Sequence, residues 1–122
     1  MKVYAYQGCS TCRKALSWLK NHGIEAEVLP IRETPPSVAE LGAVLKARGG
    51  DLRALFNTSG QDYRAMNIKS KLPGMSVEEA LGLLSKHGNL VKRPLLVDAK
   101  AGVHLVGFDE ADWAAALTPS AR

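Results

Sequence analysis

The start of the chain predicts a strand, a glycine turn and a helix in immediate succession, and this order constrains the fold more than any other feature. Residues 2–6 alternate in the manner of a short strand. Gly8 then allows a turn, and residues 13–20 carry apolar side chains on one helical face, at positions 15, 16, 18 and 19. The sequence therefore opens as an α/β fold does.

The remaining elements are predicted as a strand, a helix, a block of short helices, a longer helix, a hairpin and a closing helix. Two of the helix starts carry capping boxes, in which a serine precedes a glutamate by three residues: Ser37 with Glu40, and Ser76 with Glu79. Asp109 is the predicted cap of the last helix. In chain order the predicted ranges are a strand at 25–31, helices from 37, at 51–56, 61–66 and 77–87, strands at 95–97 and 103–106, and a short helix after 109.

This order is βαβαββα, that of thioredoxin, with a helical insertion before the third strand. A βαβ opening requires a right-handed crossover and places the first two strands parallel in one sheet. We therefore expect one thioredoxin-like α/β domain over residues 1–122, with the helical insert at approximately 50–90.

The only two cysteines of the chain, Cys9 and Cys12, lie at the predicted start of the first helix. Side chains three residues apart inside a helix have Cβ atoms about 5–6 Å apart, whereas a disulfide needs roughly 3.5–4.5 Å. The pair therefore closes best with Cys9 near the N-cap and Cys12 in the first turn. A helix start favours an anion, so Cys9 is predicted as the nucleophilic thiolate and Cys12 as the shielded resolving thiol.

Two other interpretations of the cysteine pair stay open, namely a pair of buried inert thiols and half of a metal site. The basic flank of Arg13 and Lys14 favours a reactive thiolate. A structural zinc site needs four ligands, but the three histidines, His22, His87 and His104, are scattered singly. The sequence predicts no metal site.

Composition excludes several classes of function. No apolar run approaches the ~18 residues of a membrane span, and the N-terminus resembles a strand rather than a signal peptide, so a cytoplasmic protein without membrane association is expected. Paired thiols in that compartment are more often catalytic or redox-sensing than structural. The net charge of +4 is mild, and without a dense basic run the chain does not resemble a protein that binds nucleic acid directly.

Several separated motifs resemble the arsenate reductase (ArsC)/Spx family, and the resemblance covers nearly the whole chain. They include a Cys-x-x-Cys-Arg-Lys-Ala segment after the first strand and a Lys-Arg-Pro segment before the hairpin. The motifs lie at residues 9–15, 55–60, 71–73, 92–94 and 105–108. The match is best to small bacterial ArsC-like proteins of the Spx/MgsR type.

The resemblance implies that Cys9 is the nucleophile, that Cys12 is its redox partner, and that Arg93 precedes a cis-proline, Pro94. Arginine is always charged and offers a planar fork of donors to an oxyanion or thiolate. From the residues alone, a functional role for Arg93 and Pro94 is no better supported than the alternative, in which they are a surface charge and a strand-edge proline. The supporting positions around the cysteines are Gly8, Ser10, Thr11 and Arg13.

The chain departs from the arsenate reductases of this family, which surround the oxyanion with three arginines. Asn57 stands where the first is expected and Gly107 where the last is expected, leaving Arg93. Each charge-assisted hydrogen bond contributes about 1.5–3 kcal/mol, so arsenate capture should be weak. We nevertheless expect Asn57 to be a substrate-binding or supporting residue.

Two functional hypotheses follow. The first is a thiol–disulfide oxidoreductase with Cys9, Cys12 and Arg93 as catalytic residues and no bound cofactor. Its partners would be a thiol or disulfide substrate, with glutathione as a co-substrate, and glutaredoxin or thioredoxin. The alternative is a redox-sensing regulator of the Spx type that acts through RNA polymerase.

Overall fold

The computed structural model describes residues 1–118, and within them it confirms the predicted α/β class. Contacts divide the chain into two compact units. The first unit comprises Met1–Leu29 and the chain from Arg93 onward, and the second comprises Pro30–Lys92. The helical insert predicted at approximately 50–90 falls within the second unit. The final residues, 119–122, lie outside the described part of the chain.

A four-stranded mixed sheet organises the first unit. The strand order is β2-β1-β3-β4, so the first two strands are neighbours, as the βαβ opening predicts. β3 runs antiparallel to both β1 and β4, which confirms the predicted hairpin. The strands are β1 (Lys2–Ala5), β2 (Glu27–Pro30), β3 (Leu95–Asp98) and β4 (Val103–Val106), and the helices are α1 (Ser10–Asn21) and α6 (Glu110–Leu117).

The core of the first unit forms where α1 meets side chains from the strands and α6. Three of the four apolar positions predicted for the inner face of α1 are buried, while Leu16 is only half-buried at the edge of the core. Trp113 of α6 packs edge-on against Trp18, with ring centroids 6.3 Å apart. The buried members are Val3, Ala5, Cys12, Ala15, Trp18, Leu19, Leu96 and Trp113.

The second unit is helical. Its helices are α2 (Val38–Ala47), α3 (Gln61–Ala65), α4 (Ile68–Lys71) and α5 (Val77–Lys86), with 3-10 turns at Leu52–Leu55, Leu72–Gly74 and Gly88–Leu90. α2 packs against α5, and each buries one apolar face. Phe56 bridges to Val91, and the Lys92 amide donates to the Leu55 carbonyl at 2.8 Å. These contacts tie the middle of the second unit to its end.

Both predicted capping boxes are confirmed. Ser37 accepts from the Glu40 amide at 3.1 Å while Glu40 accepts from the Ser37 amide at 3.0 Å. Ser76 and Glu79 make the same reciprocal pair at 3.1 and 3.4 Å. Each box satisfies donors that a helix start otherwise leaves unpaired.

The structure also differs from the sequence-based expectations in places. The second strand is shorter than the predicted 25–31, and the predicted helix at 51–56 is a 3-10 turn. α4 was not predicted at all. It begins after Asn67, which has a left-handed backbone with φ of 54°, a conformation that asparagine tolerates better than most residues. None of the helices within residues 1–118 has the length and apolar character needed to cross a membrane.

Candidate active site

Cys9 and Cys12 lie at the start of α1 in the arrangement that the spacing predicts. Cys9 is the N-cap residue, with an extended backbone, and Cys12 is in the first turn. The Cys12 amide donates to Cys9 Sγ at 3.3 Å. Both are free thiols; Cys9 is half-buried, whereas Cys12 is fully buried. The two thiols are therefore neighbours with unequal access to solvent.

Opposing influences act on the pKa of the Cys9 thiol. Burial raises it, but hydrogen bonds from the Cys12 side chain and amide, together with a hydrogen bond and the positive charge of Arg93, lower it. The stabilising contacts win, so the pKa of Cys9 lies below its ordinary value. The thiolate is the nucleophilic form of cysteine, and Cys9 holds it at lower pH than an ordinary thiol.

The pKa of the Cys12 thiol is shifted in the opposite direction, upward. Burial is the main cause that raises the pKa of Cys12 to about 12, and the neighbouring Cys9 adds to it. A hydrogen bond with the Tyr6 backbone and the charge of Arg93 offset only part of this rise. In the reduced protein Cys12 therefore stays protonated and donates to Cys9, which separates the two roles electrostatically.

Arg93 reaches the cysteine pair from the segment just before β3. Its guanidinium lies over the ring of Tyr6, with Cζ 5.1 Å from the ring centroid, and hydrogen-bonds to Cys9. The Arg93–Pro94 peptide bond is cis. Within residues 1–118, Arg93 Nη1 is buried without a hydrogen-bond partner. The site thus contains one desolvated donor whose hydrogen-bonding capacity is unused among the described residues.

Tyr6 is the site residue that the sequence analysis missed. Its ring lies beneath Arg93, and it also packs so closely on Gly8 that a Cβ there would lie 2.6 Å from the ring. A side chain at position 8 would therefore require the Tyr6 ring to move. The sequence does show an aromatic residue two positions before the turn glycine. Its contact with Arg93, however, arises only in the folded structure.

The other predicted supporting residues surround the turn. Ser10 and Thr11 lie exposed in the first turn of α1. Arg13 donates to the Gln7 carbonyl at 2.8 Å, so its side chain secures the turn that precedes Cys9. Its role in this structure is thus at least partly conformational.

A backbone hydrogen bond joins Gly107 to Pro94 at the open end of the β3–β4 hairpin, away from its turn. The Gly107 amide donates to the Pro94 carbonyl at 2.9 Å, and the Gly107 carbonyl accepts from Trp113 Nε1 at 3.1 Å. Gly107 has φ of 72°, where side chains are disfavoured. The position at which the resemblance to arsenate reductases leads one to expect an arginine therefore has a backbone conformation typical of glycine.

Asn57 belongs to the second unit, whereas the residues that surround the cysteines belong to the first. Its amide donates to the Leu90 carbonyl at 2.7 Å and its carbonyl accepts from the Gly60 amide at 3.0 Å. Asn57 therefore forms a turn beside the Phe56–Val91 bridge. Within residues 1–118, the structure contains no cluster of three or more His, Cys, Asp or Glu side chains that would hold a metal ion.

The chain is similar to known proteins over most of its length. The model of the ArsC family matches residues 4–116. The uncharacterized protein YusI of Bacillus subtilis is 49% identical over 90% of this chain and 92% of its own, and the regulatory protein MgsR of the same organism is 33% identical over 82% and 78%. Relatives named arsenate reductase and global transcriptional regulator Spx also match.

Among solved structures, an ArsC-family-related protein from Bacteroides fragilis superposes with a TM-score of 0.86. The two are 40% identical, and the match covers 94% of this chain and 95% of the other. This agreement extends the confirmed α/β class to the thioredoxin-like fold that the motifs imply. The chain belongs to the ArsC family.

Proposed function

We propose that the protein is a thiol–disulfide oxidoreductase in which Cys9 is the nucleophile and Cys12 the resolving thiol. The observation that carries this proposal is the position of Cys9 as the N-cap of α1, where it accepts from the Cys12 amide at 3.3 Å. The pKa values of the two thiols accordingly shift in opposite directions, lowered for Cys9 and raised to about 12 for Cys12. A pair of inert buried thiols would not explain why the charge and a hydrogen bond of Arg93 stabilise the thiolate of Cys9. Paired groups pushed apart in pKa are typical of residues with distinct chemical roles.

In the first step the Cys9 thiolate attacks one sulfur of a disulfide. A bond forms between Cys9 and that sulfur, the substrate S–S bond breaks, and the other substrate sulfur leaves as a thiolate that takes a proton from solvent. Arg93 Nη1 is buried without a partner among the described residues, and a small movement of the guanidinium would let it donate to a carbonyl or carboxylate beside the attacked sulfur. This contact would orient the disulfide toward Cys9.

In the second step Cys12 loses its proton to solvent and attacks the Cys9 sulfur. The Cys9–Cys12 disulfide forms and the second substrate sulfur leaves as a thiol, so the substrate gains two electrons and the protein loses two. Once Cys9 is in the mixed disulfide its negative charge is gone. Because that charge is one cause of the high pKa of Cys12, the resolving thiol becomes more acidic only after the first step.

The pair then needs an external reductant. Glutathione or a protein dithiol such as glutaredoxin or thioredoxin would return the two electrons by the same exchange chemistry. No bound cofactor takes part in this cycle.

The decisive experiment uses a Cys12→Ser variant, which can attack but cannot resolve. With 2-hydroxyethyl disulfide we expect it to accumulate a mixed disulfide on Cys9, detected by mass spectrometry, while the wild type forms the intramolecular disulfide. Cys9→Ser is the control and should form neither. If the adduct appears on Cys12 of the wild type instead, the assignment of roles is wrong.

A second candidate function is a redox-sensing regulator that acts through RNA polymerase, favoured by the relative that is named a regulatory protein. The same disulfide would then change affinity for a partner rather than reduce a substrate. A turnover assay with NADPH, thioredoxin reductase and thioredoxin separates the two. Repeated reduction of a disulfide supports the enzyme, whereas a single turnover with tight binding to RNA polymerase in one redox state supports the regulator.

Arsenate reduction is not part of the proposal. Asn57 and Gly107 replace two of the arginines expected of an arsenate reductase, and the φ of 72° at Gly107 disfavours any side chain there. We expect little or no arsenate turnover with glutathione and glutaredoxin supplied. A rate comparable to that of a dedicated arsenate reductase would contradict this.

A further inference from the structure

A surface groove of about 540 Å³ runs along α1 in the first unit, beginning at the residue that follows Cys9. We call it the α1 groove. Its lining includes Ser10, Arg13, Lys14, Trp18, Asn21 and Phe108. Because Ser10 is the neighbour of Cys9 in the chain, a molecule whose sulfur reacts at Cys9 has this groove beside it.

The length of the α1 groove indicates the size of its occupant. From Ser10 to Asn21 the helix rises about 1.5 Å per residue, which amounts to roughly 16 Å. An extended chain rises about 3.3 Å per residue, so the groove accepts roughly five residues. A tripeptide would span only about 10 Å and leave much of the groove empty.

The charges of the α1 groove are unevenly placed. Arg13 and Lys14 are exposed and lie at the end nearest Cys9, where the guanidinium of Arg13 still has donors beyond the one that binds Gln7. Glu110 lines the groove as well. An acidic side chain next to the reacting cysteine would be attracted, whereas Glu110 disfavours a segment that is acidic throughout.

The middle of the α1 groove is apolar. Phe108 is half-buried and its ring lies 6.4 Å from that of Trp18, while Trp113 supports Phe108 from behind at 5.0 Å. Trp18 lies four residues after Lys14, about 6 Å along the helix. This separation equals about two residues of an extended chain.

We propose that the α1 groove binds an extended segment of a client protein whose cysteine or disulfide reacts at Cys9. The segment carries an acidic residue next to its cysteine and an apolar residue two positions further on, in contact with Phe108. This inference rests on the proposed thiol–disulfide activity and assigns that activity a macromolecular substrate.

The test measures second-order rate constants for the reduced protein with six disulfides. Two are five-residue peptides, Cys-Glu-Ser-Leu-Ser and Cys-Lys-Ser-Leu-Ser, each joined through its cysteine to 5-thio-2-nitrobenzoate, whose release is coloured. The same peptides are made in reversed order because the groove does not specify chain direction. Glutathione disulfide and 2-hydroxyethyl disulfide complete the set, and the last of these reports the intrinsic reactivity of Cys9.

Three variants are compared with the wild type. Lys14→Glu reverses the charge at the Cys9 end of the groove, and Lys20→Glu is its control, an exposed lysine on the same helix that lies outside the groove. Ser17→Tyr places a bulky side chain at an exposed position of the groove lining. All rates are divided by the rate with 2-hydroxyethyl disulfide, which removes any change in the acidity of Cys9.

We expect the wild type to prefer the glutamate peptide over the lysine peptide by about fivefold or more in one chain direction, with the preference falling as salt is added. Lys14→Glu should abolish or invert the preference and Lys20→Glu should keep it. Ser17→Tyr should slow both peptides several-fold without slowing 2-hydroxyethyl disulfide.

Other outcomes overturn the inference in distinguishable ways. Equal rates for all peptides, unaltered by Lys14→Glu and Ser17→Tyr, would show that the groove binds nothing during the reaction. If glutathione disulfide reacts as fast as the glutamate peptide and is equally slowed by Ser17→Tyr, the occupant is a small thiol rather than a protein. If even 2-hydroxyethyl disulfide fails to react, the proposed function itself is wrong and this inference falls with it.

Discussion

The two units of this chain use their polar groups differently. In the second unit, serine and glutamate side chains satisfy helix ends within four residues of themselves, as Ser37 does with Glu40. In the first unit, Arg93 extends over Tyr6 toward Cys9 and leaves Nη1 buried without a partner among the described residues. In the helical unit, local hydrogen bonds satisfy these helix ends, whereas the first unit retains an unsatisfied donor beside the Cys9 thiol.

This difference indicates where stability and chemistry reside. An unpaired buried donor costs about 1–3 kcal/mol, a penalty that a structural element would avoid and a binding site can tolerate. The groups that set the pKa of Cys9, namely Cys12 and Arg93, both belong to the first unit. Substitutions in the second unit should therefore change stability without changing thiol acidity.

The largest expected effect is that of Gly88→Ala in the second unit. A Cβ at Gly88 would overlap the carbonyl of Ile31, and this backbone cannot yield as a side-chain end can. We expect a loss of about 3 kcal/mol in the free energy of unfolding, measured by urea titration. Gly82→Ala, where the same atom meets nothing within 4 Å, is the control and should be neutral or stabilising.

The same two variants test the comparison itself. While folded, Gly88→Ala should keep the wild-type pH profile of Cys9 alkylation. A profile displaced by Gly88→Ala but not by Gly82→Ala would mean that the helical unit also controls the thiol.

The next effect concerns the reduced protein at high pH. The pKa of Cys12 rises from its ordinary 9.0 to about 12 on folding, so the unfolded state loses this proton first. Its contribution to stability is present below the unfolded pKa and is lost as pH rises toward the folded one. Between about pH 9 and pH 10.5 the wild type should lose about 2 kcal/mol relative to Cys12→Ala.

Chemical denaturation of both proteins at each pH, under reductant, measures this difference. The oxidised wild type is the control, because Cys12 cannot titrate in a disulfide. A wild type that follows Cys12→Ala across this range would show that Cys12 is not protonated in the folded state.

A smaller effect is expected from Arg93→Ala. Removing the guanidinium should raise the pKa of Cys9 and slow its alkylation at neutral pH by up to about tenfold, the equivalent of one pKa unit. Arg93→Lys should recover part of the charge effect without the forked geometry. Iodoacetamide rates across pH, alongside thermal melts, distinguish loss of acidity from loss of fold, and identical titration in all three proteins would rule out Arg93 as a thiolate partner.

The smallest effect belongs to the helix caps. Ser76→Ala removes one capping box and should lower the free energy of unfolding by about 1 kcal/mol. Ser37→Ala removes the matching capping box of α2, which packs against α5, and should lower the free energy of unfolding by a similar amount. Cys9 alkylation should be unchanged in both, and a clear rate change in either would contradict the division of roles between the units.

The features that sequence predicted well are those set by neighbouring residues. The position of Cys9 at an N-cap follows from two cysteine residues at a strand–helix junction, and each capping box from a serine and a glutamate three apart. The hairpin follows from two alternating strands around a glycine turn. In each case the pattern and the interaction span only a few residues.

The features that the sequence analysis missed depend on residues far apart in the chain or on unusual backbone angles. Tyr6 meets Arg93 only because β1 pairs with β3, placing their ends together. α4 starts from the left-handed Asn67, for which no periodic pattern gives a signal. The orphan Nη1 of Arg93 is a property of burial, which a one-dimensional pattern does not contain.

The tryptophan pair in the core of the first unit has a practical consequence. Trp18 and Trp113 are the only two tryptophans of the chain, and both are packed in this unit, edge to face. Emission excited at the red edge of indole absorption therefore reports on the sheet-containing unit alone. Because the second unit is made of helices, far-ultraviolet dichroism weights it more strongly. Recording both signals during one denaturation distinguishes unfolding of the sheet-containing unit from loss of helix in the whole protein, without any attached dye.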